Sequence, residues 1–158
     1  MTGVQTCALP ILGNPLYGVA YGNGLFVAVG QWDTIFTSPD GVTWTRRTWA
    51  WGTSDHLYGV AYGNGLFVAV GEGGTIFTSP DGVTWTERTS GTSYSLLGVA
   101  YGNGRFVAVG EGGTILTSSD GVSWTAQTSG TGNRLDGVTY GNGTFVAVGE
   151  RGIILTSP

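Results

Sequence analysis

Gly59-Val60-Ala61-Tyr62-Gly63-Asn64-Gly65-Leu66-Phe67-Val68-Ala69-Val70-Gly71 decides the fold. Its opening phrase, Gly-Val-Ala-Tyr-Gly-Asn-Gly, also starts at Gly18 and Gly98, and returns at Gly137 with threonine in third place. Successive copies begin 41, 39 and 39 residues apart. One structural unit is used four times, and a period of about forty residues marks a repeat architecture.

Working outward from that stretch, the second copy divides into four strand-like runs: Leu57–Tyr62, Leu66–Gly71, Thr75–Ser79 and Val83–Arg88. The connectors are Gly63-Asn64-Gly65, Glu72-Gly73-Gly74 and Pro80-Asp81-Gly82. Asn-Gly and Asp-Gly supply the positive φ angles of tight hairpins, so each unit reads as an antiparallel meander. Phe67-Val68-Ala69-Val70 is apolar without alternation, which requires burial of both faces. A lone meander cannot do that; meanders stacked radially can. No segment carries a 3.6-residue period, so helix has no place. The expected fold is all-β: a β-propeller fragment of four-stranded antiparallel blades, three complete and one partial, forming an open arc. The repeats span about 16–48, 57–89, 96–128 and 135–158 within a region running from residue 12 to residue 158.

Composition narrows the function classes. The chain has 158 residues, 30 of them glycine, with net charge −4 and no lysine. The absence of lysine excludes a P-loop and argues against a nucleic-acid partner. No apolar run reaches the roughly 20 residues of a membrane span. Residues 1–11, Met-Thr-Gly-Val-Gln-Thr-Cys-Ala-Leu-Pro-Ile, match nothing in the repeats. They resemble the translation of a sequencing-library adapter and are set aside from fold reasoning. Cys7, the sole cysteine, therefore says nothing about redox compartment, and the natural N-terminus is expected to be missing.

The third turn and fourth strand read Ser38-Pro39-Asp40-Gly41-Val42-Thr43-Trp44, then Ser79-Pro80-Asp81-Gly82-Val83-Thr84-Trp85, then Ser118-Ser119-Asp120-Gly121-Val122-Ser123-Trp124. This pattern resembles the Asp-box, or BNR, repeat of sialidase-like propellers. With the preceding Val-Gly-x-Gly-Gly-Thr-Ile it is also similar to the propellers of photosystem II assembly factors. The usual box has one more residue between aspartate and aromatic, so this turn is a variant. The resemblance implies a secreted or cell-surface location and, in sialidase-like members, a site on the face of the blade-to-blade loops. The aspartates are expected to accept hydrogen bonds from turn amides, and the tryptophans to fill space between sheets. Ser38, Asp40, Trp44, Ser79, Asp81, Trp85, Ser118, Asp120 and Trp124 are thus assigned a structural role.

Departures from the repeat point to the site, because variation among repeats maps to loops on one face. The first blade-to-blade loop, Arg46 to His56, carries Trp49, Trp51, Asp55 and His56 where later units have plain Thr-Ser-Gly-Thr. Trp32 lies in the second-to-third-strand turn of the first unit, on the same face as these loops, and Arg134 stands in the last blade-to-blade loop. Trp32, Trp49, Trp51, Asp55, His56 and Arg134 are the candidate ligand contacts, with a protein or carbohydrate as partner. His56 has no metal-ligand spacing, and no metal or other cofactor is implied. The arginines do not recur at one inner-strand position, as a carboxylate-gripping triad would, and no Ser–His–Asp pattern emerges. Two readings follow. The chain is a non-catalytic scaffold binding through its loop face, or a fragment of a sialidase-like glycoside hydrolase whose catalytic residues lie elsewhere. The open ends of the arc further suggest self-association through exposed blade edges.

Overall fold

The computed structural model describes residues 13–47 and 54–157. Each repeat folds as one sheet with its strands hydrogen-bonded in chain order. Blade 1 contains β1 (Leu16–Gly22), β2 (Leu25–Gly30), β3 (Ile35–Ser38) and β4 (Thr45–Arg47). Blade 2 contains β5 (Leu57–Gly63), β6 (Leu66–Gly71), β7 (Ile76–Ser79) and β8 (Thr86–Arg88). Blade 3 contains β9 (Leu96–Gly102), β10 (Arg105–Gly110), β11 (Ile115–Ser118) and β12 (Thr125–Gln127). Blade 4 has three strands among the described residues: β13 (Leu135–Gly141), β14 (Thr144–Gly149) and β15 (Ile154–Ser157).

The connectors follow from their residues. Asn64 (φ 50) and Gly65 (φ 75) are both left-handed, the pattern of a two-residue type I′ hairpin. The second connector of blades 2 to 4 closes as a three-residue 3-10 turn, such as Glu72–Gly74, and these turns are the helical features among the described residues. The third connector is longer than the sequence suggests. The sequence pattern starts the fourth strand at Val83, yet β8 starts at Thr86. The Val83 and Thr84 amides donate to Asp81 Oδ1 at 2.8 and 2.7 Å instead of joining the ladder.

The core lies between sheets rather than within one. Val27, Val29 and Ile35 of blade 1 pack on Leu57, Val60, Phe67 and Phe77 of blade 2. Val68, Val70 and Ile76 meet Leu96, Phe106 and Leu116 in the same way, and Val107 and Val109 meet Leu135 and Phe145. β6 is accordingly buried on both faces. The first strands converge, β1 on β5, β5 on β9 and β9 on β13. Glycine permits that approach: a Cβ at Gly59 would stand 3.4 Å from the Cα of Gly98. The result is an arc of radially stacked meanders. No helix among the described residues is long and apolar enough to cross a membrane.

Candidate functional site

In a meander, alternate connections fall on opposite faces. One face carries the Asn-Gly hairpins and the Ser-x-Asp-Gly turns. The other carries the second connectors and the blade-to-blade loops, tied together by backbone bonds. Glu72 N–H donates to His56 O at 2.8 Å, Glu111 N–H to Ser95 O at 3.0 Å and Glu150 N–H to Arg134 O at 2.9 Å.

On the first face the three Ser-x-Asp-Gly turns are nearly superimposable in their bonding. In blade 2 the Ser79 hydroxyl donates to Asp81 Oδ1 at 3.0 Å and accepts from the Gly82 amide at 2.8 Å. Trp85 Nε1–H donates to Gly82 O at 3.1 Å, closing the turn from the other side. Ser38, Asp40 and Trp44 repeat this network in blade 1, and Ser118, Asp120 and Trp124 in blade 3. The amides of Thr43 and Val42, then the Ser38 hydroxyl, hold the Asp40 carboxyl down to about 2. The Thr84 amide leads the same lowering at Asp81, and the Ser123 amide at Asp120. Each carboxylate oxygen Oδ1 is thus already engaged by three donors.

The other face is where the repeat is broken, at the junction of blades 1 and 2. Trp32 and Asp33 occupy the positions that Gly73 and Gly74 hold in blade 2, and both keep the left-handed backbone, with φ of 53° and 51°. That conformation costs a non-glycine residue on the order of 1 kcal/mol or more, and such strain collects at functional positions. A Cβ at Gly74 would overlap the Thr92 carbonyl, so Asp33 demands a different loop beside it. The loop before β5 supplies one. Asp33 N–H donates to Asp55 O at 2.8 Å, Ser54 N–H to Asp33 Oδ2 at 3.2 Å, and Thr75 Oγ1–H to Asp55 Oδ2 at 3.1 Å. Trp32 is left 55% exposed, while its backbone N–H points to His56 Nδ1 at 3.4 Å.

Beside it stand two tyrosines that the sequence reading did not single out. The β1–β2 and β5–β6 ladders shift register at Tyr17 and at Tyr58, and such bulges re-aim a side chain. Tyr17 and Tyr58 lie 5.6 Å apart between ring centroids, with His56 at 6.4 and 6.2 Å from them, edge-on to Tyr58. Glu72 frames this aromatic patch: its Oε2 accepts the His56 N–H at 3.3 Å and lies 4.0 Å from His56 Nδ1. Burial, and next the charge of Glu72, raise the Tyr58 phenol above its usual range. Exposed Tyr94 lies over Gly112 of blade 3. The signal for Tyr17 and Tyr58 was available in principle. Their position holds Tyr, Tyr, Leu97 and Asp136 in the four copies, another departure from the repeat.

The structure therefore brings Trp32, Asp55 and His56 together. Arg134 stands apart, at the start of blade 4, where its Nε donates to Asp136 Oδ1 at 2.6 Å and its Nη1 lies 3.6 Å from Glu150. Trp49 and Trp51, like the adapter-like residues 1–11, lie outside the described residues. Among the described residues no group of three or more His, Cys, Asp and Glu side chains is placed to hold a metal ion. A cavity of about 430 Å³ between blades 3 and 4 is lined by Arg105, Val107 and Thr117. The corresponding Leu25, Val27 and Thr37 receive the Gly82 turn of the next blade, so this space is a packing seat rather than a ligand pocket.

Solved structures share this arrangement over almost the whole chain. YCF48 bound to a D1 peptide superposes with a TM-score of 0.69 at 18% identity, covering 98% of this chain and 52% of that one. The fold is a β-propeller. YCF48 from Cyanidioschyzon merolae gives 0.69 at 19% identity, with 92% and 53% covered. The computationally designed Ika4 protein gives 0.71 at 12% identity, with 99% and 98% covered. The chain thus spans about half the length of the YCF48 structures. No family model matches the sequence, and no curated protein does.

Proposed function

We propose that this chain is a non-catalytic propeller scaffold that binds a protein segment on its loop face, with a cationic side chain of the partner seated on the Tyr17–His56–Tyr58 patch. The observation that carries it is the aromatic cluster framed by a carboxylate: Tyr17 and Tyr58 at 5.6 Å, with Glu72 beside His56. Aromatic faces attract guanidinium and ammonium groups, by about 0.5–1 kcal/mol at exposed sites. Glu72 and Glu111, with a chain net charge of −4, add attraction of the same sign. Trp32 offers an apolar anchor at the edge. A peptide-bound propeller of the same fold, YCF48, makes a peptide ligand reasonable.

In this reading the Ser-x-Asp-Gly turns are variant Asp boxes with a structural role, because their carboxylates are already satisfied and lie on the opposite face. A panel of arginine-containing, neutral and acidic peptides, run beside a glycan array, tests the assignment. Binding restricted to the cationic peptides, and weakened in Tyr58→Ala and Glu72→Gln variants, is the expected result. Glycan binding alone, or peptide binding indifferent to both variants, would remove the patch from the site.

A further inference from the structure

Given the peptide-binding function proposed for the loop face, on which this rests, we infer that the face recognises two residues of its partner rather than one. Leu97 takes an apolar side chain beside the cation seated on Tyr17 and Tyr58. The inner strand of each blade opens with a leucine, one further residue and a glycine. The leucine and the glycine never change, and the residue between them is Tyr17, Tyr58, Leu97 or Asp136. In every blade that residue is the bulge of its strand. The ladders pass from Leu16 to Gly18, Leu57 to Gly59, Leu96 to Gly98 and Leu135 to Gly137 without pairing it. A bulged residue is left out of the ladder and its side chain is re-aimed. The position that escapes the ladder is also the one whose chemistry changes most from copy to copy.

These four residues stand in a row. The glycines that follow them are in close contact: a Cβ at Gly18 would stand 3.2 Å from Gly59 Cα, one at Gly59 3.4 Å from Gly98 Cα, and one at Gly98 3.2 Å from Gly137 Cα. Across the first step the Tyr17 and Tyr58 rings lie 5.6 Å apart. Leu97 is next. It is half-buried and stands outside the three core clusters, whereas its neighbour Leu96 is fully buried within one of them. An apolar group laid on Leu97 would therefore cover surface that the fold itself leaves wet. Asp136 closes the row and is already held by Arg134 at 2.6 Å. Residues two apart in an extended peptide fall on one side about 7 Å apart, close to the 5.6 Å step of the rings. The segment that fits is extended, with a basic residue and, two positions away, an apolar one.

Fluorescence anisotropy compares a labelled peptide carrying leucine two positions to either side of a central arginine with its serine counterpart; the symmetry makes chain direction immaterial. The leucine peptide should bind about fivefold more tightly. Leu97→Asp, which installs the side chain of blade 4, should abolish that preference while arginine-dependent binding persists. Leu97→Tyr, which installs that of blades 1 and 2, should instead favour a peptide with arginine at the flanking positions. The repeat itself carries both replacements, and circular dichroism checks that each variant folds. Leu97→Ala removes the side chain alone and should lower the leucine preference in the same direction. Equal affinity of the parent for the two peptides, or a leucine preference that survives these substitutions, would overturn the second seat and leave the cation patch standing. No binding of any arginine peptide would overturn both.

Discussion

Tyr101 covers Gly63: the phenol ring of blade 3 lies against the glycine Cα of blade 2, in the volume that any side chain at residue 63 would occupy. The recurrent tyrosine and the recurrent glycine that follows it are therefore one device, each blade's ring resting on the glycine of the blade before. Within its own sheet the ring also meets a phenylalanine, Tyr101 on Phe106 at 4.7 Å.

Gly63→Ala should therefore be costly. Overpacking of this kind is worth about 1–3 kcal/mol, because Tyr101 must leave its place. Gly141→Ala, at the equivalent glycine where a Cβ would meet nothing within 4 Å, should change stability little. Paired urea denaturation curves measure the difference, and equal midpoints would refute the seat.

Acid should weaken the Ser-x-Asp-Gly turns. The Asp40 carboxyl titrates at about 2 when folded, against an ordinary 3.8, so its contribution is present above 3.8 and is lost as pH falls toward 2. Asp81 and Asp120 are lowered in the same direction. Melting temperature followed from pH 6 downward should fall most steeply in that window. Asp→Asn substitution at all three positions should flatten the fall and lower the melting temperature at neutral pH.

Trp32→Gly separates binding from stability. The backbone there is already in the conformation glycine adopts freely, so relief of strain offsets the entropy glycine brings to the unfolded chain. Stability should stay within about 0.5 kcal/mol of the parent. Affinity for the cationic peptide should drop. A large loss of stability with unchanged binding would mean that the indole serves packing alone.

Salt should weaken peptide binding, since the framing carboxylates Glu72 and Glu111 are exposed and screened over about 8 Å at physiological ionic strength. Calorimetric titration at rising sodium chloride measures this. A salt-independent dissociation constant would point to the aromatic contacts alone.

The architecture was legible because it is written four times. The phrase beginning at Gly59 fixes strand, hairpin and strand, and its apolar second run forces stacking. What the sequence misplaced was the start of the fourth strand. Val83 reads as a β-former, but the competition between ladder and side-chain acceptor is settled by Asp81, which takes its amide. The candidate site was legible only in part. Trp32, Asp55 and His56 stand out as departures from the repeat, and they do meet. Tyr17 and Tyr58 also depart from the repeat, but the direction in which they point is set by a one-residue bulge, which leaves no mark in the hydrophobic pattern. Arg134 belongs to a local ion-pair group whose partner Glu150 comes from a separate connector.

Because each blade touches only its neighbours, resistance to opening should be graded along the chain rather than uniform. Amides of β6 and β10, sandwiched on both sides, should exchange with solvent hydrogen most slowly, and those of β1 and β15 soonest. A substitution in blade 2 or 3 disturbs two of the three junctions described within the chain, and the same change in blade 1 or blade 4 disturbs one of them. Position in the array, as much as residue type, should therefore set how heavily a mutation weighs.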